Sequence, residues 1–192
     1  AGIGVAYDCC GKPVAELGFE QDGKDIIAGI NRRLKETGAE EVIILCPNCY
    51  SVLKGRLDVR VVSIYEKLGE LGLGDRIPGG APVFMPCPDR DSAALLGQIE
   101  GLFADNAFER IGGVQCCGLG GSAAASEAGL AKNMTAGLKG CGTVSVYCAS
   151  CAGKFKRDGA GGVSHILTEI LGTHEAPDTG KSMINRAFTK LK

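Results

Sequence analysis

Nine cysteines stand in this chain at spacings that metal chemistry uses. Cys9-Cys10-Gly11 is followed by Cys46-Pro47-Asn48-Cys49, and about a hundred residues later Cys116-Cys117-Gly118 is followed by Cys148-Ala149-Ser150-Cys151. Thirty-five residues separate Cys10 from Cys46 and thirty separate Cys117 from Cys148, so the two sets run nearly in register. A doubled set of soft thiolate donors is hard to explain as packing and points to metal, above all to iron–sulfur chemistry. Cys-x-x-Cys offers two sulfurs to one ion or cluster. At the start of a helix its thiolates also gain from unpaired N–H groups and the positive end of the helix dipole. Pro47 fits such a first turn.

The adjacent pairs Cys9-Cys10 and Cys116-Cys117 are less ordinary. Neighbouring residues rarely aim at one ion in regular structure, so these pairs suit a multi-iron cluster with separated metal corners. Gly11 and Gly118 would let the backbone turn tightly around it. Cys87 adds a fifth thiol to the second set, one more than an ordinary cubane needs. It precedes Cys116 by 29 residues, and the same offset from Cys9 falls upstream of Ala1. The expectation is therefore a five-thiol unit present twice, with the first copy cut short at its N-terminus. Cys141, at a helix-to-strand turn, is read as a small buried or incidental residue outside both sets.

The elements that must position these thiols are legible as apolar runs alternating with helical spacing. Gly2–Tyr7, Glu41–Leu45, Val59–Tyr65, Pro82–Met85, Ile111–Gln115 and Thr143–Tyr147 read as strands, with Glu41–Leu45 covered on both faces. Helices are expected over 24–37 with Gly38 as its stop, over 66–71, over 92–104 and over 122–139. Val163–Leu171 (VSHILTEIL) echoes Val62–Leu68 (VSIYEKL), and Met183, Ile184, Ala187, Phe188 and Leu191 mark a C-terminal helix. Strands alternating with helices predict an α/β chain of two pseudo-repeated βαβ modules with largely parallel sheets, divided at 1–77 and 78–192. Nearly every thiol follows the last apolar residue of a predicted strand. Ligands in open α/β sheets bind beyond the carboxyl ends of strands, so thiols far apart in sequence should meet at one rim.

Composition narrows the function classes. With 45% apolar and 22% charged residues over 192 positions, the chain can bury a full core without covalent staples. A disulfide scaffold is disfavoured, because vicinal pairs and Cys-x-x-Cys close loops too short to restrain the unfolded chain. A reducing cytoplasm is the expected compartment. No run approaches the roughly 20 apolar residues of a membrane span, and no signal peptide is recognisable at the start of the sequence. A net charge of −1 and the absence of Trp argue against a nucleic-acid surface.

The segments CCG, CPNCYSVLK, CCGLGG and CASC resemble the cysteine-rich CCG-domain family. That family includes the B component of heterodisulfide reductase and iron–sulfur components of glycolate, lactate and glycerol-3-phosphate oxidising complexes. The resemblance implies that Cys87, Cys116, Cys117, Cys148 and Cys151 hold a noncubane [4Fe–4S] cluster. It implies that Cys9, Cys10, Cys46 and Cys49 belong to a second one, with zinc the alternative at this first set. Gly11 and Gly118 would support the clusters. Relatives often carry His-Asp-Pro-Cys where this chain has Met85-Pro86-Cys87-Pro88, which removes a proton donor. The implied activity is an oxidoreductase component, similar to heterodisulfide reductase, that cleaves a disulfide at the second cluster and works with flavin or iron–sulfur partner proteins. The alternatives are a non-catalytic electron-transfer component and a zinc-stabilised interaction module; no catalytic residue is assigned.

Other features have plainer readings. Gly118-Leu119-Gly120-Gly121-Ser122-Ala123 formally matches a dinucleotide fingerprint, but Cys117 abuts it and no acidic residue ends a following strand. His165 is read as a packed or capping residue and His174 as a surface residue. Lys181, Arg186, Lys190 and Lys192 form a solvated face of the last helix.

Overall fold

A computed structural model describes residues 2–104, 108–120 and 123–189. Gly121, Ser122, Lys190, Leu191 and Lys192, which enter the expectations above, lie outside the described residues, as do the side chains of Met183 and Arg186. The chain is α/β, and every strand pairing is parallel. Strands β1 (Glu41–Ile44) and β2 (Arg60–Ser63) form one sheet, with Glu41 opposite Arg60 and Ile44 opposite Ser63. Strands β3 (Val83–Phe84), β4 (Thr143–Val146) and β5 (Gly162–His165) form the other, with β4 in the centre.

Parallel neighbours cannot be joined by a hairpin, so each pair needs a helical crossover. The helices are α1 (Lys12–Glu16), α2 (Glu20–Thr37), α3 (Pro47–Leu53), α4 (Ile64–Leu71), α5 (Ala94–Glu100), α6 (Ala123–Ser126), α7 (Ala128–Asn133), α8 (Ala149–Arg157), α9 (Ile166–Ile170) and α10 (Ser182–Thr189). Helix α3 carries the chain from β1 to β2, and α8 carries it from β4 to β5. Each second strand then runs into a helix whose first turn is capped. Ser63 Oγ accepts the Glu66 N–H at 3.0 Å, and His165 Nδ1 accepts the Leu167 N–H at 3.3 Å. Helix α2 stops at Gly38 as expected, in the left-handed conformation, with the Ala39 N–H returning to Leu34 O at 3.0 Å.

One apolar cluster holds Ile27, Ile30, Tyr50 and Tyr65 together with Leu95, Leu96, Ile99, Tyr147 and Ile166. A second cluster gathers Phe84, Val114, Leu138, Val144, Val146 and Phe155 around β4, where Phe84 and Phe155 meet edge to face at 4.8 Å. The clusters explain a difference between the sheets. Val144 and Val146 on the central strand are sealed, whereas Ile43 and Leu45 on the two-stranded sheet are 37% and 56% exposed. Glu41–Leu45 is thus a strand, but not one covered on both faces.

Three expected elements take other forms. Gly2–Tyr7 is not a strand: it has no regular structure, and Ile3, Val5 and Tyr7 face solvent. An alternating pattern gains its stability from a ladder partner, and no described strand lies beside this segment. Ile111–Gln115 likewise pairs only at its start, where Val83 N–H reaches Glu109 O at 2.7 Å and Ile111 N–H reaches Val83 O at 3.0 Å. The Ala-rich stretch over 122–139 is broken into α6, α7 and a 3₁₀ turn at Ala136–Leu138. Glu127 leaves helical geometry with φ −135° and ψ 60°. Asn133 and Gly137, weak helix formers, add to the interruption.

Candidate metal centre

The two Cys-x-x-Cys motifs sit where the sheet strands deliver them. Cys46 is the N-cap of α3, two residues beyond β1, and Cys148 is the N-cap of α8, two residues beyond β4. In both, the first sulfur faces the unpaired amides of the new helix. Cys46 takes backbone N–H bonds from Asn48 and Cys49, and Cys148 takes them from Ser150 and Cys151. Amides at a helix N-terminus favour negative charge, which here is a thiolate.

Each Cys-Cys-Gly segment contributes its second cysteine. Cys10 hydrogen-bonds to Cys49, which also bonds Cys46; Cys117 hydrogen-bonds to Cys151, which also bonds Cys148. Two thiol trios result: Cys10, Cys46 and Cys49, and Cys117, Cys148 and Cys151. The hydrogen bond from Cys49 is the largest cause that lowers Cys10 and Cys46 to about 6, against an opposing effect of burial. Cys151 does the same for Cys117, lowered to about 6, and for Cys148. Cys49 and Cys151 are in turn pushed far up by those same bonds and by burial, so each trio holds one shared proton donor between two thiolates.

The glycine after each pair allows this turn. Gly11 has φ +82° and Gly118 has φ +70°, a region that side chains other than Gly rarely adopt. A Cβ on Gly11 would stand 2.9 Å from Gly23 O on α2, and one on Gly118 would stand 2.9 Å from Ala131 O on α7. The missing side chains therefore let a helix approach closely. The turn itself aims amides at sulfur: Lys12 N–H at Cys10, Leu119 N–H at Cys117, and Gly118 N–H at Cys116 Sγ, 3.3 Å away.

The remaining predicted thiols are placed less alike. Cys87 opens a 3₁₀ turn after β3; burial raises its thiol first, and the neighbouring Cys116, Cys117 and Cys148 add to the shift. Cys87 is itself exposed, and it feels the charges of the second set without joining its trio. Cys9 is exposed and stands outside the first trio. Cys141 is half-buried, its thiol donating to Gly137 O at 3.3 Å, apart from both sets. His165 caps α9 and its ring is lowered to about 4 by burial; His174 is exposed, 2.7 Å from Glu169 Oε2.

The trios are neighbours. The charge of Cys46 acts on Cys148, and Asn48 Nδ2 lies 4.0 Å from Cys148 Sγ. Beside them a cleft of about 380 Å³ opens between α3 and the Cys87 turn, lined by Pro47, Tyr50, Lys54, Pro88 and Ser92. Lys54 Nζ sits 4.6 Å over the Tyr50 ring.

Sequence reasoning missed Asn48, Tyr65 and Asp89. Asp89 is 2% exposed; its carboxylate accepts the Leu95 and Leu96 N–H groups at 2.9 Å each and the Tyr147 hydroxyl at 2.8 Å. An aspartate just ahead of the apolar run of α5 was the available signal.

Among the described residues no three His, Cys, Asp or Glu side chains already stand in metal-ligand geometry. The thiols are gathered at hydrogen-bond spacing instead. Their chemistry nonetheless fits a thiophilic group: soft sulfur donors, stabilised as thiolates and supplied with N–H bonds. Among the described residues no helix is long and apolar enough to cross a membrane. A family model described as a cysteine-rich domain, CCG, matches residues 2–54, the stretch that carries the first trio. Neither the curated proteins nor the solved structures yield a match.

Proposed function

We propose, from the match of residues 2–54 to the cysteine-rich CCG domain model together with the gathered thiols, that the chain is an iron–sulfur oxidoreductase component of the heterodisulfide-reductase B type. One observation carries the reading: thiols from four distant segments gather into two adjoining trios beyond the carboxyl ends of parallel strands. Cys10, Cys46 and Cys49, with Cys9, would hold the first metal group. Cys87, Cys116, Cys117, Cys148 and Cys151 would hold the second, a noncubane [4Fe–4S] cluster.

When bound, such a cluster supplies one-electron chemistry. The chain's own residues keep the sulfurs anionic through helix-terminal amides, exclude water from Cys117, Cys148 and Cys151, and leave the cleft beside Lys54 open to a substrate. Cleavage of a disulfide at the second cluster takes up two electrons and two protons and releases two thiols. The electrons come from partner proteins, because the chain carries no flavin or nicotinamide motif. Simple electron relay for a dehydrogenase is the second form of the same reading.

Anaerobic reconstitution with iron and sulfide tests this. About four irons and four labile sulfides per thiol set are expected. Stoichiometric zinc with no retained iron overturns the proposal and leaves a zinc-stabilised module. Addition of a heterodisulfide should alter the cluster's EPR signal; an unchanged signal favours electron relay over cleavage.

A further inference from the structure

One side chain of α3 reaches a sulfur of the second thiol set, and a buried, unpartnered hydroxyl of α4 packs against the residue that precedes it. Asn48, inside the first Cys-x-x-Cys, places Nδ2 4.0 Å from Cys148 Sγ. Tyr65, in the first turn of α4, is 2% exposed. Among the described residues its hydroxyl is the buried side-chain nitrogen or oxygen that lacks a hydrogen-bond partner. Its ring meets Tyr147 edge-on, centroids 6.4 Å apart, and Tyr147 directly precedes Cys148. The Tyr147 hydroxyl is already committed to Asp89. Burial raises the Tyr65 phenol, and the charge of Cys148, the residue after Tyr147, adds to that shift.

A buried hydroxyl without an acceptor is a cost that phenylalanine would remove while keeping the ring's packing. Metal binding removes the Cys151 proton that Cys148 accepts in the metal-free trio, which leaves the Cys148 sulfur in need of another donor. We propose that Tyr65 and Asn48 are hydrogen-bond donors to the metal-bound Cys148 sulfur, so that the first half of the chain sets the electron affinity of the centre in the second half. The inference rests on the second thiol set holding metal. Donors to a ligating sulfur withdraw charge from it and favour the reduced state of the centre. The arrangement is one-sided. The residue at the same position of α9 as Tyr65 in α4 is Leu167, which has no donor to return to the first set.

The test uses the full chain with Tyr65→Phe and, separately, Asn48→Ala, each read by metal content, by anaerobic spectroelectrochemistry of the iron-loaded protein, and by the sulfur-to-metal charge-transfer band of the cobalt(II)-loaded protein. With iron content unchanged, Tyr65→Phe should make the second centre about tenfold harder to reduce, about 59 mV for a one-electron couple. Asn48→Ala should act in the same direction by less, because its contact is longer. The cobalt band should move to lower energy in both, since an unbonded thiolate gives up electron density more readily. The first centre should not respond to Tyr65→Phe.

An unmoved potential and an unmoved band in Tyr65→Phe, at wild-type metal content, overturn the inference. Cobalt uptake without iron uptake overturns the iron–sulfur reading alone and leaves the band to decide the role of Tyr65. A chain that takes up neither metal overturns both.

Discussion

The two thiol sets share one cysteine pattern and differ in what surrounds them. In the first, Cys9 is exposed, only Cys10 is buried, and Cys46 and Cys49 are half-buried; in the second, Cys87 is exposed and Cys116 half-buried, but Cys117, Cys148 and Cys151 are all buried. The difference follows from the sheets. β4 has a neighbour on each side and sealed valines on its faces, whereas β1 has one neighbour and exposes Ile43 and Leu45. Among the described residues, the segment before Cys9 pairs with no strand, and its Ile3, Val5 and Tyr7 face solvent. The repeated motif pair therefore delivers the same donors, while the number of strands around them sets solvent access. A drier set is a lower-dielectric one, in which each charge and hydrogen bond counts for more.

The strongest way to break the comparison is to remove one ligand from each set. Cys148→Ser should abolish metal binding at the second set and leave the first, a loss of roughly half the iron if each set holds one four-iron cluster, read by elemental analysis. Cys49→Ser should do the reverse. Loss of all metal from either variant would show that the adjoining trios form one centre.

A smaller effect sharpens the same contrast through the turns. Gly118→Ala puts a Cβ within 2.9, 3.0 and 3.2 Å of three Ala131 atoms, and Gly11→Ala puts one at 2.9, 3.3 and 3.5 Å from Gly23. Both also force a positive φ on alanine, a cost of about 1–2 kcal/mol. Urea unfolding of the reduced, metal-free protein should show a total loss of about 3 kcal/mol for Gly118→Ala and about 2 kcal/mol for Gly11→Ala. Equal losses would mean that the second turn is no more tightly held than the first.

The outcome at each turn also shows how far the sequence could be read. The β-rich runs at 41–45, 59–65 and 143–147 became strands because each has a parallel partner one crossover away. Gly2–Tyr7 has the same composition and no partner, so its pattern went unrealised; pairing is a property of two segments, and one segment cannot announce it. Strand ends made the positions of Cys46, Cys87 and Cys148 legible, whereas Cys10 and Cys117 join their trios from segments that the expected strands do not occupy. Which cysteine of each vicinal pair turns inward could not be read, because that depends on the αL glycine and the helix packed against it. Gly11 and Gly118 were read as tight-turn residues, and their positive φ fits that; the close approach of α2 and α7 to them was not legible. Tyr65 and Asn48 were invisible as site residues, since their importance comes from the other half's sulfur.

Capping supplies a third contrast, in pH dependence. Ser63 caps α4 with a hydroxyl that does not titrate near neutrality, whereas His165 caps α9 with a buried imidazole lowered to about 4. In the folded protein His165 must stay neutral, because a protonated Nδ1 could not accept the Leu167 N–H. The unfolded chain takes up a proton near the ordinary histidine value, about 6.5, well above the folded one. Stability from this site is therefore full above about pH 6.5 and is lost as pH falls toward 4. The loss should be of the order of 2 kcal/mol in the metal-free protein. His165→Ser, which copies the first half's cap, should flatten the difference across that window. A slope equal to wild type would place the pH dependence elsewhere, with Asp158 and Glu169, both held low by their partners, the next groups to consider.

The mildest perturbation reads exposure directly. Cys9 and Cys116 hold the same place in their motifs, but Cys9 is exposed while Cys116 is half-buried and takes the Gly118 amide on its sulfur. Alkylation of the reduced, metal-free protein with iodoacetamide, followed by peptide mass spectrometry, should modify Cys9 several-fold faster than Cys116. Access governs the rate as much as thiolate character does. Cys148 and Cys151 should react last, after the sheet around β4 opens, and their rates should rise together in urea. Faster labelling at Cys116 than at Cys9 would mean that the second set opens locally without its sheet. Strand number would then not be what protects the second set, and the contrast between the two halves would have to rest on the turns and caps alone.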